Sequence, residues 1–155
     1  MSPRAAVRLA TQADAPSIGR LLHDFNAEFG EATPGPARVA ERVRWLLSDD
    51  EITVLLAGSG PDGLAVLRFR PALFNNALEC YLAELYVVPT RRGRGFGRAL
   101  MEEAIDVARA RGADHMDLGT SEDDVAARAL YESLGFSNRE KGPDGPLSYF
   151  YEREL

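Results

Sequence analysis

Residues 81–100, YLAELYVVPTRRGRGFGRAL, constrain the fold more than any other stretch, because the period of the apolar residues changes within them. Up to Pro89 the residues are β-formers of alternating character, and a proline without an N–H ends the strand. Beyond Gly97, the residues Leu100, Met101, Ala104, Ile105 and Ala108 fall at helical spacing. The joint between the two carries Arg91, Arg92, Arg94 and Arg98 around Gly93, Gly95 and Gly97. Glycines let backbone N–H groups converge on a ligand, a new helix offers free amides at its positive end, and the arginines add full charge. The turn therefore reads as a binding site for a phosphorylated molecule.

Spacing decides between phosphate loops. A nucleotide P-loop, G-x-x-x-x-G-K-[ST], needs a lysine that does not follow these glycines. The dinucleotide fingerprint G-x-G-x-x-G fails as well, since its third glycine would fall on Arg98 counted from Gly93 and on Leu100 counted from Gly95. What fits is R-x-x-G-x-G at Arg92, Gly95 and Gly97, directly after a V-V-P strand end.

The rest of the chain narrows the ligand. A length of 155 residues suits one domain with a core that needs neither disulfide nor metal. The net charge of −6 argues against a nucleic-acid binder, so the arginine turn is a local exception that points to a small anionic ligand. Cys80 is the only cysteine, which excludes an internal disulfide framework and suits a reducing cytoplasm. The longest apolar runs, such as ITVLLAG, are too short to span a bilayer. Arg4 and Arg8 interrupt any apolar leader core, so no signal peptide is predicted.

In chain order, residues 7–10 predict a strand, and Thr11 with Asp14 a capping pair for the helix that follows. Ile18, Leu21, Leu22, Phe25 and Phe29 form one apolar face of that helix. After the EATPGP break a second helix is predicted over 37–47, with Val39, Val43, Leu46 and Leu47 inward and Trp45 in the core. Strands at 52–57 and 64–69 flank a GSGPDG hairpin turn, and the loop at 71–76 leads to the fourth strand. The helix after the arginine turn stops near Gly112. A short buried strand at 115–118, a helix at 125–134 closed by Gly135, and strands at 136–139 and 149–153 complete the pattern. This order predicts a mixed α/β (α+β) sheet in one domain over 1–155, with helices on both faces.

A second segment agrees with the first. The run DVAARALYESLGF at 124–136 is a small-residue helix carrying a tyrosine, followed by a glycine and an aromatic. Together with R-x-x-G-x-G it resembles the GNAT superfamily of acyl-CoA N-acyltransferases. The family usually has asparagine seven residues before the tyrosine, where this chain has Asp124, an acceptor that cannot donate when ionised.

The resemblance implies a largely antiparallel sheet that splays between the fourth and fifth strands. It also implies direct transfer of an acetyl group from acetyl-CoA to an amine, without a metal. On the matching positions, Arg92, Gly93, Arg94, Gly95, Phe96, Gly97 and Arg98 would hold the pyrophosphate. The backbone of Leu85, Tyr86 and Val87, with Asp124, Ala127 and Tyr131, would hold the pantetheine arm. The candidate general base is Glu84, at the centre of the fourth strand, with Glu79 or a water relay as alternatives, and Glu84 reads equally as a pairing carboxylate. A bulged fourth strand would offer the N–H of Val87 to the oxyanion, and Tyr131 would protonate the leaving thiolate.

The first two helices would wall the acceptor site with Phe25, Phe29, Asp24, Glu28 and Glu31, which suits a cationic amine; a solvated acidic face explains the same residues. A homodimer through the last strands is a further implication, and a non-catalytic acyl-CoA-binding module is the rival reading. Cys80 reads as a reduced strand cysteine, His23 and His115 lack ligand spacing, and SEDD at 121–124 reads as a helix start.

Overall fold

The computed structural model describes residues 5–155; Arg4, used above against a leader, lies outside them. The chain divides after Leu118 into two units. The first holds a five-stranded sheet in the order β1 (Val7–Leu9), β2 (Thr53–Ala57), β3 (Gly63–Pro71), β4 (Leu78–Val87) and β5 (Ala113–Leu118). Neighbours are antiparallel except β4 and β5, which are parallel. A parallel pair needs a crossover, and α3 (Phe96–Ala110) supplies it. The two earlier helices are α1 (Ala15–Glu28) and α2 (Pro36–Ser48).

Every residue of β2 is buried, as a strand covered on both faces requires. Val54 and Leu56 pack with Leu64, Val66 and Tyr86 beneath Ile18 and Leu21 of α1 and Val43 of α2. The opposite face meets α3, whose Leu100, Met101 and Ala104 are fully buried or nearly so. Losing one of these side chains, for example through Leu100→Ala, costs about 2–5 kcal/mol in a core that relaxes only partly. Ahead of α1, the Thr11 N–H donates to Asp14 Oδ2 at 2.8 Å, so the predicted capping pair forms. Arg8 clamps the same carboxylate, which with the Thr11 bond lowers its pKa to about 2.

β4 departs from a regular ladder twice. Val66 pairs with Glu84 and Leu67 with Leu82, so Ala83 is an extra residue and β4 is bulged there. On its other side β4 pairs with β5 only over residues 78–82 and then continues alone to Val87. The implied splay between the fourth and fifth strands is therefore present.

The second unit, residues 119–155, contains α4 (Val125–Ser133). The strands predicted at 136–139 and 149–153 do not form; the one ladder contact is an isolated bridge between Arg139 and Leu147. A strand exists only as one side of a ladder, and alternation alone supplies no neighbour. Tyr149 and Tyr151 on one side and Phe150 on the other stay 74%, 87% and 70% exposed, so neither face of that segment is buried.

Two predicted placements are also corrected. Trp45 is 50% exposed, because α2 buries the face of Ala40 and Val43; its ring lies 4.5 Å under the Arg42 guanidinium. The strand at 113–118 begins two residues earlier than predicted and leaves His115 exposed, because β5 is an edge strand. No helix among the described residues is long and apolar enough to cross a membrane.

Candidate functional site

The turn between β4 and α3 is built by backbone geometry. Val88 N–H donates to Asp62 O at 2.8 Å, closing the β3–β4 ladder, and Pro89–Arg91 makes a single 3-10 turn. Gly93 and Gly95 then take φ of +75° and +85°, a left-handed conformation that other residues adopt only with strain. A Cβ on either glycine would meet nothing within 4 Å, so the turn borders open space. Gly95 is the N-cap of α3 and no side chain caps the helix. Its carbonyl accepts from Ala99 N–H at 3.0 Å, and the amides of Phe96 and Gly97 precede any intrahelical acceptor. Free amides at a positive helix end beside unfilled space form an anion cradle.

The four arginines differ in availability. Arg94 makes no hydrogen bond or ion pair among the described residues, and Arg91 Nε lies 3.9 Å from Asp62. Arg92, the first residue of the loop motif, is instead held within the protein. Its Nη2 donates to both carboxylate oxygens of Glu28, at 2.9 and 2.8 Å, and its Nε donates to Val87 O at 2.9 Å. The guanidinium also lies 5.6 Å from the Tyr86 ring centroid. Tyr86 stacks on Phe25 at 4.9 Å and 9°, and Phe25 meets Phe29 edge to face at 5.4 Å and 68°. The end of α1 is thus fastened to the end of β4 and to the arginine turn. The negative charges of Glu28 and Asp24 act on the Tyr86 hydroxyl, which burial, the larger effect, also pushes up in pKa.

The free edge of β4 follows from its pleat. N–H groups alternate in direction along a strand, and Val88 N–H points to β3. Tyr86 and Glu84 therefore donate the same way, whereas Leu85 and Val87 direct N–H and C=O to the edge that β5 leaves unpaired. The bond from Arg92 Nε to Val87 O agrees with this direction. The Val87 N–H is thus exposed to an incoming group by the end of β5 pairing; the bulge lies at Ala83, upstream of it.

Glu84 sits opposite Val66, whose side chain belongs to the α1–α2 core, so the carboxylate emerges on the face that carries Tyr86 and Phe25. It is half-buried and forms no hydrogen bond among the described residues. Burial raises its pKa, with the positive charge of Arg68 opposing the rise. Glu79 is engaged instead, accepting from Arg70 Nε at 2.6 Å in a cluster with Asp117. Cys80 is buried and its thiol is pushed up to about 11, as an unreactive strand cysteine should be. His23 Nδ1 meets Thr33 Oγ1. No group of His, Cys, Asp and Glu among the described residues could hold a metal ion.

In the second unit, Asp124 caps α4, its Oδ1 accepting from Ala127 N–H at 3.1 Å. Aspartate serves this bond as well as asparagine would. Tyr131 is buried and packs edge to face on Phe136 at 6.0 Å. Burial, and secondarily the charge of Asp124, push its hydroxyl up to about 12, so it keeps its proton.

Sequence reasoning named most of these residues but missed the pairings that engage Arg92 with Glu28 and Glu79 with Arg70. The second had a signal, since hairpin register sets Arg70 opposite Glu79. The first joins residues 64 apart and left none.

Residues 18–136 match the acetyltransferase (GNAT) family. The crystal structure of a protein assigned as an acetyltransferase from Arthrobacter sp. FB24 superposes with a TM-score of 0.88 at 42% identity, covering 100% of this chain and 99% of that one. Mycothiol acetyltransferase of Beutenbergia cavernae is 34% identical over 119 residues, which is 75% of this chain. The chain spans only 34% of the length of that protein. Streptothricin acetyltransferase of Streptomyces lavendulae is 39% identical over 88 residues, 57% of this chain and 46% of that protein.

Proposed function

The chain belongs to the acetyltransferase (GNAT) family, and from that premise we propose that it moves an acetyl group from acetyl-CoA to a primary amine by direct attack in a ternary complex. The observation that carries the reading is the uncapped start of α3, with left-handed Gly93 and Gly95, next to a strand that β5 leaves unpaired on one side from Ala83 to Val87 and that bears half-buried Glu84. The fit to coenzyme A is good on this chain's own features: the α3 amides and Arg94 would take the pyrophosphate, and the outward amides of Leu85 and Val87 would pair with the pantetheine arm. Acetyl-CoA supplies the acetyl group as an activated thioester.

The protein's part is positioning and proton management. An alkylammonium has a pKa of roughly 10 and must lose a proton before it attacks. Glu84, free of hydrogen bonds among the described residues and raised in pKa by burial, is the proton acceptor, directly or through water. Glu79 is a weaker candidate because Arg70 already neutralises it. The Val87 N–H is the donor for developing negative charge on the acyl oxygen. Tyr131 keeps its phenolic proton at neutral pH, the state that protonation of a departing thiolate requires.

Asp24 and Glu28 beside the Phe25–Tyr86 stack favour a cationic amine, a small molecule or a peptide. Relatives named for mycothiol and streptothricin support the reaction class. We treat 1–155 as one acetyltransferase domain, because the family match crosses the boundary after Leu118.

The test is a titration with acetyl-CoA followed by thiol release against a panel of cationic, neutral and anionic amines. Amine-dependent thiol release with preference for cations is the expected result. Binding without release under any amine would favour a non-catalytic acyl-CoA-binding module, and turnover of neutral amines alone would remove the charge preference.

A further inference from the structure

The ion pair between Glu28 and Arg92 connects the two halves of the site. Arg92 is the first residue of the R-x-x-G-x-G loop, and Glu28 is the last residue of α1, on the acidic and aromatic face beside Tyr86. Each is the other's counterion: Arg92 Nη2 reaches both oxygens of Glu28, while Nε is spent on Val87 O. The pair is half-exposed, at 45% and 27% of side-chain surface, so its bonds exchange with ligand groups at modest cost. The surrounding charges are Asp24, which like Glu28 acts on the Tyr86 hydroxyl, and Arg94 in the same turn, which has no partner among the described residues.

Resting on the acetyl-transfer reading above, we infer that Glu28 is a gate on both substrates, holding Arg92 from the diphosphate of coenzyme A and itself from a cationic acceptor until the two ion pairs exchange. A diphosphate at the α3 amides draws the guanidinium away from Glu28 and leaves that carboxylate, with Asp24, to take an ammonium. An ammonium on Glu28 conversely releases Arg92 to the diphosphate. Charge is conserved, because one internal pair becomes two protein–ligand pairs. Each ligand therefore strengthens the other, and by linkage the factor is the same in both directions. Val87 ties this exchange to the chemistry, since Arg92 Nε stays on its carbonyl at the open strand edge.

Calorimetric titration of the intact protein with coenzyme A, alone and with spermidine at saturation, tests the exchange. The variant Glu28→Gln keeps the side chain's size and removes the counterion, so it should bind coenzyme A alone about two- to fivefold more tightly than the wild type. Spermidine should raise the wild-type affinity by a similar factor and leave that of Glu28→Gln unchanged. Glu41→Gln, an exposed residue on α2, makes the same change in net charge and should bind coenzyme A as the wild type does. Equal or weaker binding of coenzyme A by Glu28→Gln would overturn the exchange, as would unaltered wild-type affinity in spermidine or an equal gain in Glu41→Gln. Acetyl transfer with no such coupling would overturn this inference alone, whereas a wild-type protein that does not bind coenzyme A would overturn the proposed function with it.

Discussion

The rings of Phe25 and Tyr86 lie parallel, 4.9 Å apart between centroids, and fasten α1 to the residue that precedes Val87. Stacked aromatic pairs contribute about 0.5–1.5 kcal/mol beyond the area they bury. Since Phe25 is only half-buried, Phe25→Ala should lower the unfolding free energy by about 2 kcal/mol, below the roughly 3–5 kcal/mol of a fully buried phenylalanine. Because the stack orients the strand edge, kcat should fall more than the affinity for acetyl-CoA. Denaturant unfolding and steady-state kinetics on one preparation check both, and a stability loss under about 0.5 kcal/mol would show that the stack does not anchor α1.

Glu84 links activity and stability with opposite signs. Burial raises its folded pKa, so the folded state holds the proton more tightly than the unfolded chain does. The stability this supplies is complete below the unfolded pKa and is lost as pH rises through the raised folded pKa. At neutral pH the ionised carboxylate is thus a burden, and Glu84→Gln should raise Tm there, with the advantage fading as the wild-type carboxyl protonates. The same variant should lower kcat/KM by about 100-fold or more and remove an acid limb that lies above the ordinary carboxylate range. Thermal melts at pH 4 and pH 7 with a pH–rate profile are the measurements, and a variant of wild-type rate would leave Glu84 a pairing residue.

Asp124 and Tyr131 make a second separable pair. Asp124→Asn keeps the bond to Ala127 N–H and should change stability by less than about 0.5 kcal/mol, whereas Asp124→Ala should cost about 1 kcal/mol. Removing the charge should also lower the Tyr131 pKa from about 12, though burial keeps it above that of free tyrosine. Ultraviolet titration of the phenolate follows this directly. Tyr131→Phe should reduce kcat about 100-fold with acetyl-CoA affinity nearly unchanged, and equal rates would make Tyr131 a packing residue.

Gly95 carries both strain and ligand space. At φ +85° an alanine should cost about 1–2 kcal/mol of stability, and its methyl would enter the space beside the free α3 amides. Gly95→Ala should therefore weaken acetyl-CoA binding by about tenfold or more, while the preceding Arg94→Ala should weaken it without a stability loss. Calorimetry separates the two, and a folded Gly95→Ala protein with unchanged affinity would remove this turn from the binding site.

Much of the architecture was legible because its causes are local. The change of period after Gly97 placed α3 within two residues of its start, and the GSGPDG turn placed the β2–β3 hairpin. The apolar spacing in α1 gave Ile18 and Leu21, which are fully buried. Failures came where a neighbour decides: Trp45 has the composition of a core residue but lies off the face that α2 buries, and the segment at 149–153 alternates like a strand without a ladder to join. The candidate site divides in the same way. The glycine turn could be named from spacing, and Tyr131 and Asp124 from the family resemblance, but the counterion of Arg92 could not, because Glu28 lies 64 residues away.

By itself the sequence determined the strand, the left-handed glycine turn and the helix that together make an anion cradle, since backbone preference and hydrophobic period act between residues close along the chain. Only the tertiary structure decided that Glu84 emerges beside Tyr86, that the β4 edge stays open at Val87, and that Arg92 is held by Glu28. Those outcomes depend on sheet register and helix docking, where groups distant in sequence compete for the same partner, and neither spacing nor composition records who wins.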